Sequence, residues 1–482
     1  MSFGVIMEEQ TAPSGEAPKP APKSKALWIV IAVVVVVVVV LLAAVFGGLF
    51  GPPEDRVLRI GTVLSLTGTS GLEVFGPNNE RGVRLAVKEI NTAGGVLGRP
   101  IELVTEDDQG VVATARDRAQ KLITTNRVDA VIGAVGSGFC AAVLEVTKAN
   151  GVVQVSASCT SPIFSNATYT GGWFFRTAPS DALQGVVAAN YAYTNRSLRT
   201  MAVFGNNNPY GIGLANVFAT KFTALGGTAS VRILAENQAS YSSDLQTAFA
   251  TVPEAVYMAN YPTDGLKVMR DWAANPAWSG IDWIFSEGVL DQAGFVDQLP
   301  AQGIPAATVQ TFQGSAPGAY LGIVGDLYNG FLTRFKAEYG ATADPGLFTA
   351  NAYDAVYLIA AAAQRAGTAT AAGIKANMRA VSAPDASTDT VVSGGGWAAI
   401  LTAIAAGRNI NYEGASGAVN LDALGDPLSG YAIWGIDANN KIVTLEFFNE
   451  AMVVALVQAA PPAYNAPRTF GPSVSGTRFE EA

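Results

Sequence analysis

The sequence contains no histidine. Without imidazole there is no Ser-His-Asp or Cys-His catalytic set, no His-containing zinc site and no imidazole general base. Only two cysteines occur, too few for a Cys-only zinc site or an iron–sulfur cluster. Charge is scarce too. Only 14% of the 482 residues are charged, and 30 bases against 39 acids leave a net charge of −9. That balance offers no basic face to a phosphate backbone, so nucleic acid is not an expected partner. Most enzyme chemistry is excluded by these absences, and no catalytic residue, cofactor or metal is expected.

What the sequence does hold is a long apolar run. Residues 26–50 are uninterrupted by charge and include eight successive valines at 33–40. At about 1.5 Å per residue a helix of this length exceeds a hydrocarbon core of roughly 30 Å. The apolar stretch of a cleaved signal peptide is usually about 7–15 residues, and this run is longer and starts later. No cysteine follows it to carry a lipid. Lys19, Lys23 and Lys25 crowd the leading flank, whereas Glu54, Asp55, Arg56 and Arg59 balance one another on the trailing flank. Lys and Arg near a span stay in the cytoplasm. The expectation is therefore a cytoplasmic leader at 1–25, rich in Pro, Ala, Ser and Glu and disordered, then an uncleaved single-pass anchor at 26–50. Everything from about residue 51 onward is expected outside the cytoplasm.

Beyond the Gly-Pro-Pro stop at 51–53 the pattern alternates. Residues 58–64 (LRIGTVL) read as a strand. Residues 81–91 put Val83, Val87 and Ile90 on one helical face and stop at Gly94-Gly95. A strand at 101–105, a helix at 113–125, a strand at 130–132, a helix near 141–149 and a strand at 152–155 follow. A second series has strands at 201–204, 230–234, 255–258 and 283–285 between helical stretches. A third block holds a long helix at 351–367 and a last strand set within 417–445. Strands alternating with helices of this length imply βαβ units and parallel sheets. The fold class is α/β, with two parallel-sheet lobes and a chain that crosses between them more than once. Ligands of such folds bind beyond the carboxyl ends of strands and at domain interfaces.

Two loops sit directly after strands. Residues 133–140 (GAVGSGFC) are rich in glycine, but the order is G-x-x-G-x-G, and neither a downstream acid nor a phosphate-loop lysine is present. Nucleotide binding is excluded on that ground. A strand-to-helix turn with free N–H groups and the Ser137 hydroxyl remains, suited to one carboxylate, or else to a tight turn alone. Residues 155–162 (VSASCTSP) add the hydroxyls of Ser158, Thr160 and Ser161, which could serve a shared ligand or merely cap the next helix.

The order and spacing of several strings over some 390 residues resemble a periplasmic substrate-binding protein of the Leu/Ile/Val-binding type. They are IGTVLSLTG (60–68), GVRLAVKEIN (82–91), GGVLGRPIEL (94–103), RTAPSD (176–181), NNPYGIG (207–213), NAYDAVYL (351–358) and YEGASGAVNLDALGDP (412–427). The resemblance implies a type I periplasmic binding fold, two Rossmann-like lobes joined by a multi-strand hinge and closing on a ligand. One lobe would comprise 57–178 with about 312–418, the other 179–311 with about 419–448, leaving 449–482 as a mobile tail. It further implies that Ser137 and Thr160, with the backbone near Ser158, take an amino acid's α-carboxylate. Glu287 would take its α-ammonium, and Phe75, Tyr210 and Tyr261 would line the pocket. The implied partners are a small aliphatic amino acid and a membrane permease with a cytoplasmic ATPase.

Physical chemistry agrees with that assignment, since neutral donors suit a carboxylate and a buried ammonium needs a carboxylate partner. Each residue also has a plainer reading: Glu287 as a strand-end cap, Tyr210 as turn packing, Phe75 as lobe core. Asp107 and Asp108 read as loop-ordering residues, and Asp181 as a cap or orienting residue for the helix after the lobe crossover. The chain departs from the family in its anchor, in lacking an acid just before Tyr210, and in having Ser158 where a smaller residue is common. Cys140 and Cys159 fall in the two hydroxyl-bearing loops and either form a disulfide, permitted outside the cytoplasm, or remain buried thiols. Rival functions are a sensor ectodomain, or a receptor for an amide, urea or aromatic acid.

Overall fold

Short runs of apolar and β-branched residues alternate with amphipathic helices from residue 57 onward. The computed structural model describes residues 57–322, 325–382 and 390–458. The expected leader at 1–25 and anchor at 26–50 lie outside these residues. Among the described residues no helix is long and apolar enough to cross a membrane.

In the first lobe β1 (Arg59–Leu64), β2 (Glu102–Asp107), β3 (Ala130–Gly133), β4 (Val153–Ser156) and β5 (Phe174–Arg176) form an all-parallel sheet in the order β2-β1-β3-β4-β5. Every residue of β3 and β4 is buried, as central strands covered on both faces require. The connections are α1 (Gly76–Thr92), α2 (Val112–Thr124) and α3 (Ser137–Ala149). In α1 the buried stripe is Val83, Ala86, Val87 and Ile90, the spacing of one helical face. Gly82 shares that face, and a Cβ there would stand 2.4 Å from the Thr349 carbonyl oxygen. Only glycine admits so close an approach.

The second lobe opens with α4 (Asp181–Asn190) and continues through β6 (Thr200–Asn206), α5 (Pro209–Ala224), β7 (Thr228–Leu234), β8 (Ala255–Ala259), α6 (Pro262–Ala273), β9 (Asp282–Phe285) and β10 (Gln313–Pro317). The chain then returns to the first lobe with α7 (Asp326–Tyr339), α8 (Thr349–Ala366) and α9 (Ala371–Asn377). A small sheet follows, of β11 (Thr390–Ser393), β12 (Ile410–Gly414) and β13 (Gly417–Ala418). It crosses once more to add β14 (Tyr431–Ile436), β15 (Ile442–Phe448) and α10 (Glu450–Gln458) to the second lobe. The large sheet runs β15-β14-β10-β9-β8-β6-β7.

Three expectations change. Residues 313–317, assigned from sequence to the first lobe, are β10 of the second, parallel to β9 and antiparallel to β14. Their sequence QGSAP has almost no strand propensity, and neighbours on both sides supply the pairing that propensity does not. The second sheet is accordingly mixed, since β14 and β15 run antiparallel. Residues 450–458 of the expected mobile tail are helical. Val453 there is fully buried, and Lys221 donates to the Leu456 carbonyl at 2.9 Å. The rest of that tail lies outside the described residues.

The chain therefore passes between lobes three times, and one ion pair fastens two of the crossings. Arg176, at the end of β5, is 0% exposed. Its guanidinium reaches Asp426 through Nε at 2.6 Å and Nη2 at 2.9 Å. The remaining donors go to the carbonyls of Cys159 and Ser161, each at 3.0 Å, and to Ser165 Oγ at 2.7 Å. Burial alone would raise the Asp426 carboxyl, but Arg176 outweighs it and holds it below the usual range. A buried pair of this kind is worth little against an apolar substitute, yet breaking it strands a charge. Asp426→Asn is expected to lose about 3–5 kcal/mol of unfolding free energy in urea at neutral pH. The double change Arg176→Met with Asp426→Leu should recover most of that loss. A single variant within about 1 kcal/mol of the parent would show the pair to be dispensable.

Candidate functional site

The carboxyl ends of β3 and β4 in one lobe face those of β8 and β9 in the other, and the interface between them is closed. A single apolar cluster runs from Leu72, Phe75 and Val135 to Tyr210, Tyr261 and Val289. Ser161 Oγ donates to the Pro209 carbonyl across the gap at 2.8 Å. All seven residues expected at the site, Phe75, Ser137, Ser158, Thr160, Tyr210, Tyr261 and Glu287, are buried there.

Ser137 is the first residue of α3, and its hydroxyl accepts the Ser161 N–H at 3.3 Å, tying the two hydroxyl loops together. Thr160 donates toward Glu287 Oε1 at 3.5 Å, from one lobe to the other. Ser158 behaves differently. Its hydroxyl turns away to the Val135 carbonyl at 2.8 Å, and its N–H goes to Ser156 Oγ at 3.2 Å. Both of its donors are engaged within the first lobe. Phe75 joins the apolar wall at the entry to α1. Tyr210 stacks on Tyr261, ring centroids 5.2 Å apart, donates to Ser286 Oγ at 2.6 Å and accepts the Gly288 N–H at 3.1 Å. These two bonds fix the turn that presents Glu287.

Glu287 begins the turn after β9 and is 2% exposed. Gln184 of α4 donates to its Oε2 at 2.5 Å. Burial pushes the carboxyl up to about 7, with the bond from Gln184 pulling the other way. A second acid accompanies it that the sequence reading placed as a helix cap. Ser180 is the cap, its Oγ accepting the Ala182 N–H, and Asp181 is freed of that duty. Asp181 is 0% exposed, and neither carboxylate oxygen has a hydrogen-bond partner within normal distance. Burial, reinforced by the nearby charge of Glu287, raises it well above the carboxylate range, while Thr160 and Arg176 lower it in part. Arg176 is engaged by Asp426, so no cation pairs with Asp181 or Glu287 among the described residues. The signal for Asp181 was its place one residue after Ser180, the better cap, at a lobe crossover.

Asp107 and Asp108 stand where loop ordering requires. Asp107 accepts N–H groups of Leu66, Thr67 and Gln109, and Asp108 that of Gly110. Cys140 and Cys159 form a disulfide with Cα atoms 6.4 Å apart, settling the alternative left open by the sequence. It staples the loops of Ser137 and Thr160. Among the described residues no group of three or more Cys, Asp or Glu could hold a metal. The arrangement is a closed, two-sided interface with hydroxyls on one face, aromatic rings on another and two buried carboxyls that no cation pairs among the described residues.

A family model described as periplasmic binding protein matches residues 57–399. The chain is 28% identical over 387 residues to the chemotactic signal transduction system substrate-binding protein BasB of Halobacterium salinarum, covering 78% of this chain and 86% of that relative. It is 27% identical over 343 residues to the Leu/Ile/Val-binding protein homolog 1 of Brucella abortus, covering 68% and 83% respectively. Its fold is like that of the leucine-binding protein LivK of Thermotoga maritima, with a TM-score of 0.67, 24% identity, and 82% and 99% of the two chains covered.

Two measurements bear on this geometry. A carboxyl raised on folding binds more protons in the native than in the unfolded state, so stability falls as pH climbs through the window between its ordinary and its native value. Glu287 sets that window between its ordinary 4.5 and about 7, and Asp181 acts in the same direction. Urea midpoints without added ligand should decline between these limits, and Asp181→Asn with Glu287→Gln should flatten the decline. A slope unchanged by the double variant would contradict the burial argument. Separately, Cys140→Ser with Cys159→Ser opens a 19-residue loop and should cost about 3 kcal/mol of stability. An unaltered melting midpoint would show that the bridge constrains nothing.

Proposed function

The chain belongs to the periplasmic binding protein family, of the Leu/Ile/Val-binding type, and we propose that it captures a small amino acid between its lobes and delivers it to a permease driven by a cytoplasmic ATPase. It acts outside the cytoplasm, held to the membrane by residues 26–50. The observation that carries the reading is the buried pair Asp181 and Glu287, two carboxyls without a cation. Burying such groups is unfavourable unless something positive meets them. An α-ammonium does so at Glu287 and takes the place of the long Thr160 contact there, so the ligand's α-carboxylate lies on the Ser137 and Thr160 hydroxyls. Ser158 contributes packing, because its donors are turned elsewhere. Tyr210, Tyr261 and Phe75 cover the carbon skeleton. Entry requires the lobes to part at the hinge, and contacts from both lobes to one ligand favour closure.

The ligand class is tested by thermal shift with leucine, isoleucine and valine, against acetamide and urea. A ligand at about 100 times its Kd adds roughly 2.7 kcal/mol. Aliphatic amino acids alone should raise the midpoint, and Glu287→Gln should weaken leucine binding by about 2–5 kcal/mol in calorimetry. If only ligands lacking an ammonium bind, or if the variant binds leucine unchanged, the assignment of Glu287 fails. A second reading, a sensor ectodomain, is favoured by the likeness to a relative named for chemotactic signal transduction. Deleting the chain would then abolish a behavioural response and leave uptake of labelled leucine intact.

A further inference from the structure

A concavity of about 410 Å³ shares no residue with the cleft between the lobes. Its walls come from the turn into β5, with Gly172, Phe174 and Phe175, from α9 and the turn after it, and from Ala423, Leu424 and Gly425 at the third crossing. Two cations enter it, Lys375 and Arg379. Lys375 stands on α9 and Arg379 four residues on, in the turn after it. Some surface cations of this acidic chain find acids, Arg84 with Glu80, Lys88 with Glu338 and Arg232 with Asp244. These two find none among the described residues. Lys375 lies over the Trp173 ring, 3.9 Å from its centroid, and donates to the Gly171 carbonyl at 3.3 Å. Arg379 donates to the Leu421 carbonyl at 3.4 Å. Asp422, next to the lining residue Ala423, accepts the N–H groups of Leu424 and Asp426. The rest of the lining is apolar: the two phenylalanines, Ala376, Ala380 and Leu424.

We propose that this concavity is a second binding site, for a small organic carboxylate with an apolar body. Its anionic end bridges Lys375 and Arg379, and its carbon skeleton lies against Phe174, Phe175 and Leu424. A volume of this size is within the range of small-molecule sites, and a carboxylate between two cations makes charge-assisted bonds. The floor of the site is the hinge itself. The Gly425 carbonyl accepts the Arg176 N–H at 3.0 Å, one residue from the Arg176–Asp426 pair.

The test is calorimetric titration of the full chain with sodium benzoate at fixed ionic strength, with benzamide as the neutral isostere and inorganic phosphate as an anion without an apolar body. Benzoate should bind saturably and the other two should not. Lys375→Gln with Arg379→Gln should weaken benzoate at least tenfold, Arg379→Gln alone severalfold, and Glu287→Gln should leave it unchanged. Melting midpoints of the variants verify folding, and Arg379→Gln at an exposed position keeps the test open if the double variant does not fold. No saturable binding, equal binding of benzamide or phosphate, or benzoate binding that is lost with Glu287 and kept without Lys375 and Arg379, would overturn the site.

Discussion

The bidentate grip of Arg176 on Asp426 is the constraint from which the rest of the molecule follows. It joins the first crossing between the lobes to the third, and two further donors of the same guanidinium hold the carbonyls of Cys159 and Ser161. The loop that carries Thr160 is thereby fixed to the hinge. Electrostatically the pair is self-contained, and this is what leaves Asp181 and Glu287 without compensation a short distance away. Concentrating Arg176 on one partner keeps the cleft acidic.

A second layer of order comes from neutral contacts. The disulfide, the Ser161 N–H on Ser137 and the Ser158 hydroxyl on the Val135 carbonyl bind the two hydroxyl loops of the first lobe into one unit. In the second lobe Tyr210 clamps the Glu287 turn from both sides. Each half of the site is held together by contacts within its own lobe.

The βαβ rhythm was legible because it is written in local periodicity: β1, β3, α1 and α8 were located from apolar spacing, and their ends moved by a few residues. Strand β10 was not, because QGSAP is a strand only through its neighbours. Hydroxyl and acidic residues at the cleft were legible as types at strand ends, and the resemblance gave them roles. Their orientation was not. Whether Ser158 points into the cleft or back to Val135 depends on a hydrogen bond 23 residues away along the chain, and whether Asp181 caps α4 depends on Ser180 doing so first. The cationic concavity joins segments near 174, 377 and 424, and no window of sequence contains all three.

The three crossings also bear on how such a chain comes to be folded. Helix α1 packs on α8, and Gly82 is shaped for Thr349, so the first lobe lacks a wall until residues far downstream exist. Strand β10 has one edge open until β14 arrives to pair with it. Contacts of such long sequence separation close slowly. Neither lobe can finish while the chain is still emerging, and partly formed sheets with unpaired edges invite aggregation. A protein of this topology acquires its two lobes together, once the whole chain is present, rather than one after the other.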